Sequence, residues 1–258
     1  MRVKGSKFLV HELKNGVEIE YIRQSCRIVA ELIQYLREIV KSGVTTRWLD
    51  QEAEQFIVKR GAVPAFKNYN GFPSSICSSI NEEVIHGIPS DCKLQEGDIV
   101  SIDVGVNKAG YFGDAAVTIP VGQISDEKRK LLQTTERALY AGIEKAVHRN
   151  HVSDISRAVQ RTVEEEGYSV VRDFVGHGVG KKLHEEPPIP NYKMPGRGLQ
   201  LLEGMTLAIE PMVNMGGYEV YIRDDNWTVV TKDGMPSAHF EHTILVRDDS
   251  PDILTLIK

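Results

Sequence analysis

The chain has 258 residues, 41% of them hydrophobic and 26% charged, with a formal net charge of -5. That length allows one large or two small domains with a sizeable core, and the acidic balance gives no electrostatic case for nucleic acid as a partner. No apolar run is long enough for a membrane span, the start lacks the apolar run of a signal peptide, and three cysteines, Cys26, Cys77 and Cys92, fit a reduced cytoplasmic protein better than a disulfide framework.

Residues 1–16 read as an N-terminal extension in which Arg2, Lys4, Lys7 and Lys14 make a solvated basic start. Ile19, Ile22, Cys26, Val29, Ile33, Leu36 and Val40 then recur in steps of three and four, which predicts an amphipathic helix over 17–41 with Gly43 as its stop. A second helix is predicted over 46–60, ending at Gly61. The period then changes. Strands are predicted over 76–80 and 84–88 around Asn81-Glu82-Glu83, and a hairpin over 99–106 and 111–119 around the loop Asn107-Lys108-Ala109-Gly110.

The second half repeats the order. A helix over 126–148 has Ser125 as cap and Asp126 and Glu127 in its first turn. A shorter helix over 153–166 has Ser153 as cap and Gly167 as stop. Strands follow near 168–175, 205–213, 227–231 and 240–247. Helix, helix, strands occurs twice, in halves of roughly 17–120 and 125–247, with no Pro/Ser-rich linker between them. The expectation is one α+β domain over 1–258, with helices covering one side of a curved antiparallel sheet.

A doubled motif sharpens the duplication. Leu94-Gln95-Glu96-Gly97 is followed six residues after its glycine by Asp103, and Leu201-Leu202-Glu203-Gly204 is followed at the same distance by Glu210. Each acid follows an isoleucine and sits in an apolar strand, where an uncompensated carboxylate is costly. If Val106 faces Tyr111 across the hairpin loop, Asp103 lies directly opposite Asp114. Two bare carboxylates there, with Cβ atoms ~5 Å apart, would repel by roughly 3 kcal/mol at an effective dielectric near 20. An exposed sheet edge would relieve them, but the flanks (Ile99, Val100, Ile102, Val104 and Val106 before, Ala115, Ala116, Val117 and Ile119 after) point to a buried face. Glu241 is assigned to the Asp114 place in the second half, because each acid heads an apolar strand just after a phenylalanine, Phe112 or Phe240. Four carboxylates balance two divalent cations, for which hard oxygen ligands are suited. No cysteine joins the pattern, which argues against a structural zinc site.

Among the histidines, His177 lies in Gly176-His177-Gly178-Val179-Gly180, where small neighbours allow close backbone approach. A phosphate loop fails there because Val175 occupies the first glycine's place. His184 follows seven residues on, and His86 precedes Gly87. His242 alternates away from Glu241. His11, His148 and His151 have no chemical context.

The residues that match a known family are Cys77-Ser78-Ser79-Ile80-Asn81-Glu82 to His86-Gly87-Ile88-Pro89, Asp103-Val104-Gly105, Gly113-Asp114, the His177 motif, His184-Glu185-Glu186-Pro187, Ile209-Glu210-Pro211 and Glu241-His242-Thr243. Across nearly its whole length the chain resembles the short, bacterial-type type I methionine aminopeptidases. Only 33 positions separate His177 from Glu210, which leaves no room for the helical insertion of type II enzymes. The resemblance implies the pita-bread fold, a pseudo-two-fold curved antiparallel sheet with two pairs of helices on its outer face. It implies that Asp103, Asp114, His177, Glu210 and Glu241 hold two divalent ions (Co, Mn, Fe or Zn), with Asp114 and Glu241 bridging. The reaction implied is removal of the N-terminal methionine of nascent polypeptides, with transient ribosome association. Glu210 would act as base and then acid, His184 would donate to the oxyanion, and His86 would bond the substrate backbone. Tyr69, Phe72, Cys77, His86 and Trp227 would line the methionine slot, with Phe66 where family members often carry a smaller residue.

Two rivals stand beside this reading. One is an Xaa-Pro aminopeptidase or prolidase on the same fold, and the other is a non-enzymatic binding protein that kept the fold. A Cys77 nucleophile with His86 is set aside because four acids would then have no role.

Overall fold

Asn15 starts the first helix. Its side-chain oxygen accepts the Val17 and Glu18 N–H groups at 3.0 Å, and Glu18 accepts the Asn15 N–H at 2.9 Å. Such a reciprocal cap contributes about 1 kcal/mol. This helix, α1 (Gly16–Ile39), buries Ile22, Cys26, Val29 and Leu36 of the face its spacing predicts, and buries Leu32 where Ile33 was expected; Ile19 and Ile33 are half-buried. α2 (Thr46–Lys59) follows, capped by the Thr45 hydroxyl. The computed structural model describes residues 13–257, so Arg2, Lys4, Lys7 and His11 lie outside the described residues, while Lys14, expected to be solvated with them, is buried because it pairs with Glu185 at 2.6 Å.

Three short strands come next, β1 (Val63–Pro64), β2 (Cys77–Ile80) and β3 (Glu83–Ile85), and then the long pair β4 (Ile99–Lys108) and β5 (Tyr111–Pro120). The second half opens with α3 (Asp126–Ile143) and α4 (Val152–Glu164). Its strands are β6 (Ser169–Val170), β7 (Gly176–Gly178), β8 (Glu185–Ile189), β9 (Thr206–Ile209) and β10 (Met212–Asn214). These are followed by β11 (Val220–Ile222), β12 (Val229–Thr231), β13 (Ser237–His239), β14 (His242–Leu245) and β15 (Asp252–Ile253). Among the described residues every ladder between these strands is antiparallel. α1 packs on β4 and β5 and against α2, while α3 packs on β9, β10 and β13 and against α4. No described helix is long and apolar enough to cross a membrane.

Several boundaries differ from expectation. α3 ends five residues early because Lys145 and Ala146 bond back only three residues, to Gly142 and Ile143, which tightens and closes the last turn. α4 is capped from His151 rather than Ser153: Asp154 accepts the His151 N–H at 2.9 Å. Only two residues of the strand expected over 168–175 form one, β6.

The hairpin register is the main correction. Ala109 and Gly110 both have positive φ (55° and 83°), the geometry of a tight two-residue turn whose twist matches the flanking strands. Lys108 therefore faces Tyr111, and Asp103 faces Ala116 rather than Asp114. The slip is two residues, so the side-chain face is conserved. Asp103 and Asp114 lie diagonally across the pair on one face.

The duplication is exact in register. Ile99 faces Pro120 in β4–β5, and Thr206 faces Leu245 in β9–β14. A shift of 107 along β4 and 125 along β5 carries the first pairing onto the second, and onward to Met212 facing His239 in β10–β13. The doubled glycines match too: Gly97 donates to Val121 O with φ 92°, and Gly204 donates to Val246 O with φ 91°. In the second half the ladder is broken at Pro211, which has no N–H to give. The shift places Glu210 on Asp103, as expected. It places Glu241 on Ala116, however, and it is His239 that stands where Asp114 stands in the first half.

Candidate metal centre and its cavity

The two halves meet where β5 runs beside β14, and the Glu241 N–H donates to Ala116 O at 2.9 Å across the join. This contact carries the acids of both halves onto one wall of a cavity of about 320 Å³. Asp103, Asp114, His177, Glu210 and Glu241 all line it. Ligand atoms of Asp114, His177 and Glu241 lie within 4.8 Å of one another. His177 Nε2 is 3.4 Å from Glu210 Oε1 and 3.9 Å from Asp114 Oδ2.

His177 reaches this place because its neighbours have no side chains. A Cβ on Gly176 would meet Ala208 O at 2.4 Å, and one on Gly178 would meet Glu186 O at 2.3 Å, so β7 fits between β8 and β9 only with glycine on both sides of His177. His177 Nδ1 lies 2.9 Å from Gly178 O. A carbonyl can only accept, so Nδ1 carries the proton and the Nε2 lone pair faces the acids.

Burial dominates the electrostatics. It pushes the Asp103 carboxyl up from 3.8 to about 7 and raises Asp114, Glu210 and Glu241 well above the usual carboxylate range. Mutual repulsion adds to the rise in the last three. Burial likewise lowers His177 to about 3, leaving a neutral imidazole. Asp103 Oδ1, Asp114 Oδ1 and Glu241 Oε1 are out of solvent with no hydrogen-bond partner among the described residues. Clustered carboxylates with unpartnered oxygens, next to an imidazole lone pair, fit divalent cations in chemistry and in charge.

The rest of the lining is largely aromatic and apolar. Tyr69, Phe72, Cys77, His86, His184 and Trp227, all singled out from the sequence, line the same cavity. Phe72 and Trp227 meet edge to face at 5.2 Å. Phe66 lines it as well and packs with Phe72, Cys77 and Leu183. Leu183, Ile85 and Phe174 were not foreseen, because an apolar residue facing a cavity has the same local pattern as one facing the core. His184 stands against His177, ring centroids 4.3 Å apart, and its Nδ1 is 2.8 Å from the Tyr69 hydroxyl. His86 packs edge-on against Phe174 with its backbone at positive φ, and burial lowers it to about 4. The Cys77 thiol is raised well above its ordinary value by burial and by Asp103, which keeps it protonated and unsuited to act as a nucleophile. His242 turns away as expected, 2.8 Å from the Thr255 hydroxyl.

His239 was missed. It is 1% exposed, and its Nε2, 3.7 Å from Glu210 Oε2, has no hydrogen-bond partner among the described residues. The doubled register was the signal that would have found it.

Comparisons with known proteins agree on one family. The model of metallopeptidase family M24 matches residues 20–248. A methionine aminopeptidase of Clostridium acetobutylicum is 54% identical over 245 residues, 95% of this chain and 98% of the relative. The crystal structure of methionine aminopeptidase from Rickettsia prowazekii is similar with a TM-score of 0.93 at 42% identity, over 95% of this chain and 99% of that one. Prolidase from Pyrococcus furiosus, at 24% identity and a TM-score of 0.79 over 95% of this chain and 66% of its own, shares the fold alone.

Proposed function

We infer the activity from a plain premise: the chain belongs to metallopeptidase family M24 and, within it, to the methionine aminopeptidases. It is a hydrolase that removes the N-terminal methionine of peptides and proteins in a metal-dependent reaction. The observation that carries this reading is the convergence of four carboxylates, buried at Asp114 and Glu241 and half-buried at Asp103 and Glu210, and the His177 lone pair beside an aromatic slot.

We propose that Asp103, Asp114, His177, Glu210 and Glu241 would hold divalent ions, two in number and drawn from Co, Mn, Fe and Zn. Bound there, such ions supply Lewis acidity that polarises the first peptide carbonyl and lowers the pKa of water. Glu210 takes the proton of the attacking water on a carboxylate oxygen and returns it to the leaving amine. Tyr69 donates its hydroxyl proton to His184 Nδ1, which leaves His184 Nε2–H to donate to the developing oxyanion. His86 bonds the substrate backbone. The substrate's free amine binds beside Asp103, which restricts cleavage to chain ends. Phe66, Tyr69, Phe72, Cys77 and Trp227 enclose the unbranched thioether side chain.

The same reading makes 1–258 one catalytic domain acting in the cytoplasm, which free Cys26, Cys77 and Cys92 suit. Its substrates are new chains, and a transient association with the ribosome would bring it to their ends. Methionine release from Met-Ala-Ser, abolished by chelation and restored by divalent metal, is the test. Proline-dependent cutting of Xaa-Pro peptides with methionine ignored would overturn the assignment in favour of a prolidase, and absence of any cleavage by the metal-loaded protein would favour a binding role.

A further inference from the structure

We propose that His239 is a positioning residue for Glu210: its imidazole N–H holds Glu210 Oε2 so that Oε1 stays beside His177 and faces the cavity. The inference rests on the reading above that Glu210 holds metal.

Three observations carry it. The first is the duplication. His239 occupies the place of Asp114, and it lies diagonally from Glu210 as Asp114 lies diagonally from Asp103. The repeat therefore puts a polar side chain able to meet a carboxylate or a cation at both places, an acid in the first half and an imidazole in the second. The second is anchoring. The Thr118 hydroxyl donates to His239 O and accepts the His239 N–H, both at 2.9 Å, and is itself 2.8 Å from the Ser101 hydroxyl. His239 is thereby fixed by its backbone to the first half of the molecule and points into the join. The third is its vacant bonding capacity. Nε2 is buried with no partner among the described residues, and the polar atom set before it is Glu210 Oε2 at 3.7 Å. A shift of about 0.8 Å brings this pair to an ordinary hydrogen-bond length.

The two oxygens of Glu210 then have different neighbours: Oε1 has His177 Nε2 at 3.4 Å and Oε2 has His239. A donor on one oxygen fixes the carboxylate rotamer and selects which oxygen is free to bind a cation. Partners of this kind commonly alter metal affinity by about 10–100-fold when removed.

The test is calorimetric titration of chelator-stripped protein with Mn(II), with folding followed by circular dichroism. His239→Leu fills the space without a donor, and His239→Gln restores an N–H at similar reach. The expected result is a loss of about 10–100-fold in affinity for one Mn(II) equivalent in His239→Leu, and near wild-type affinity in His239→Gln. Wild-type binding by a folded His239→Leu, or equal weakening in both variants, overturns the proposal. If His239→Leu fails to fold, His239→Asn takes its place: its shorter amide falls away from Glu210 Oε2, so binding of one Mn(II) equivalent must weaken while His239→Gln keeps it, and wild-type binding by His239→Asn overturns the proposal. Glu210→Ala serves as the control: if it leaves Mn(II) binding unchanged, the metal-centre reading itself fails, whereas weakening there with no effect at His239 refutes only the positioning role.

Discussion

Asp103→Asn should stabilise the metal-free protein while impairing its chemistry. Asp103 is held up from 3.8 to about 7 by burial, with Oδ1 out of solvent and unpartnered among the described residues. At about 1.4 kcal/mol per pH unit, a rise of roughly three units makes the ionised form cost about 4 kcal/mol in the fold. The sign follows from proton counts. Between about pH 4 and 7 the unfolded chain has lost this proton while the folded chain keeps it, so the contribution of Asp103 to wild-type stability falls across that window and is level above it. Asparagine carries no charge to penalise, and burying its amide costs about 1–2 kcal/mol. The variant without metal should be more stable than wild type by about 2–3 kcal/mol near pH 8, and slightly less stable near pH 4. Urea unfolding in chelator across that pH range measures the difference. With saturating Mn(II) the order should reverse, because the wild type gains binding energy that the variant has lost. No advantage for the variant in chelator at high pH, or an advantage that does not grow with pH, would refute the account of these acids as an uncompensated cluster.

Three further outcomes are expected. Binding of Mn(II) to the stripped protein should release protons near pH 6, and the number should fall as pH rises through about 7, where the folded Asp103 ionises; calorimetry in buffers of differing ionisation enthalpy reads this directly, and a release of zero at every pH contradicts it. Tyr69→Phe removes the hydroxyl at His184 Nδ1, so kcat on Met-Ala-Ser should drop about tenfold, the worth of roughly one hydrogen bond, with KM little changed. Lys14→Ala strips Glu185 of a cation 2.6 Å away, at side-chain exposures of 4% and 15%. It should destabilise the fold by about 2–4 kcal/mol in denaturant, and it should also slow turnover, because Glu185 adjoins His184.

The helices were legible because their apolar residues keep the helical period, and in α3 because the Ser125 cap acts within a single turn; the caps at Asn15, Thr45 and His151 went unread. β8 was not legible. Pro187 and Pro188 argue against a strand, and they are tolerated because β8 lies at the edge of its sheet. The hairpin was found but misregistered, since the choice between a two-residue and a four-residue loop depends on Ala109 adopting positive φ, which its identity does not announce. The five acid and imidazole positions were legible as residue types in apolar surroundings. Their convergence was not, because Asp114 and Glu241 are 127 positions apart in sequence and meet only through the contact of β5 with β14.

The sequence by itself determined the duplication, the helix faces and the presence of acids that need a cation, since each of these is written in periodicity or in residue chemistry within one strand. Tertiary structure decided the pairing. It placed Glu241 opposite Glu210 and set His239, not an acid, in the second copy of the Asp114 place. The reason is that register across strands is set by turn geometry and by packing between the halves, and a one-dimensional pattern records which face a side chain takes but not which partner it meets.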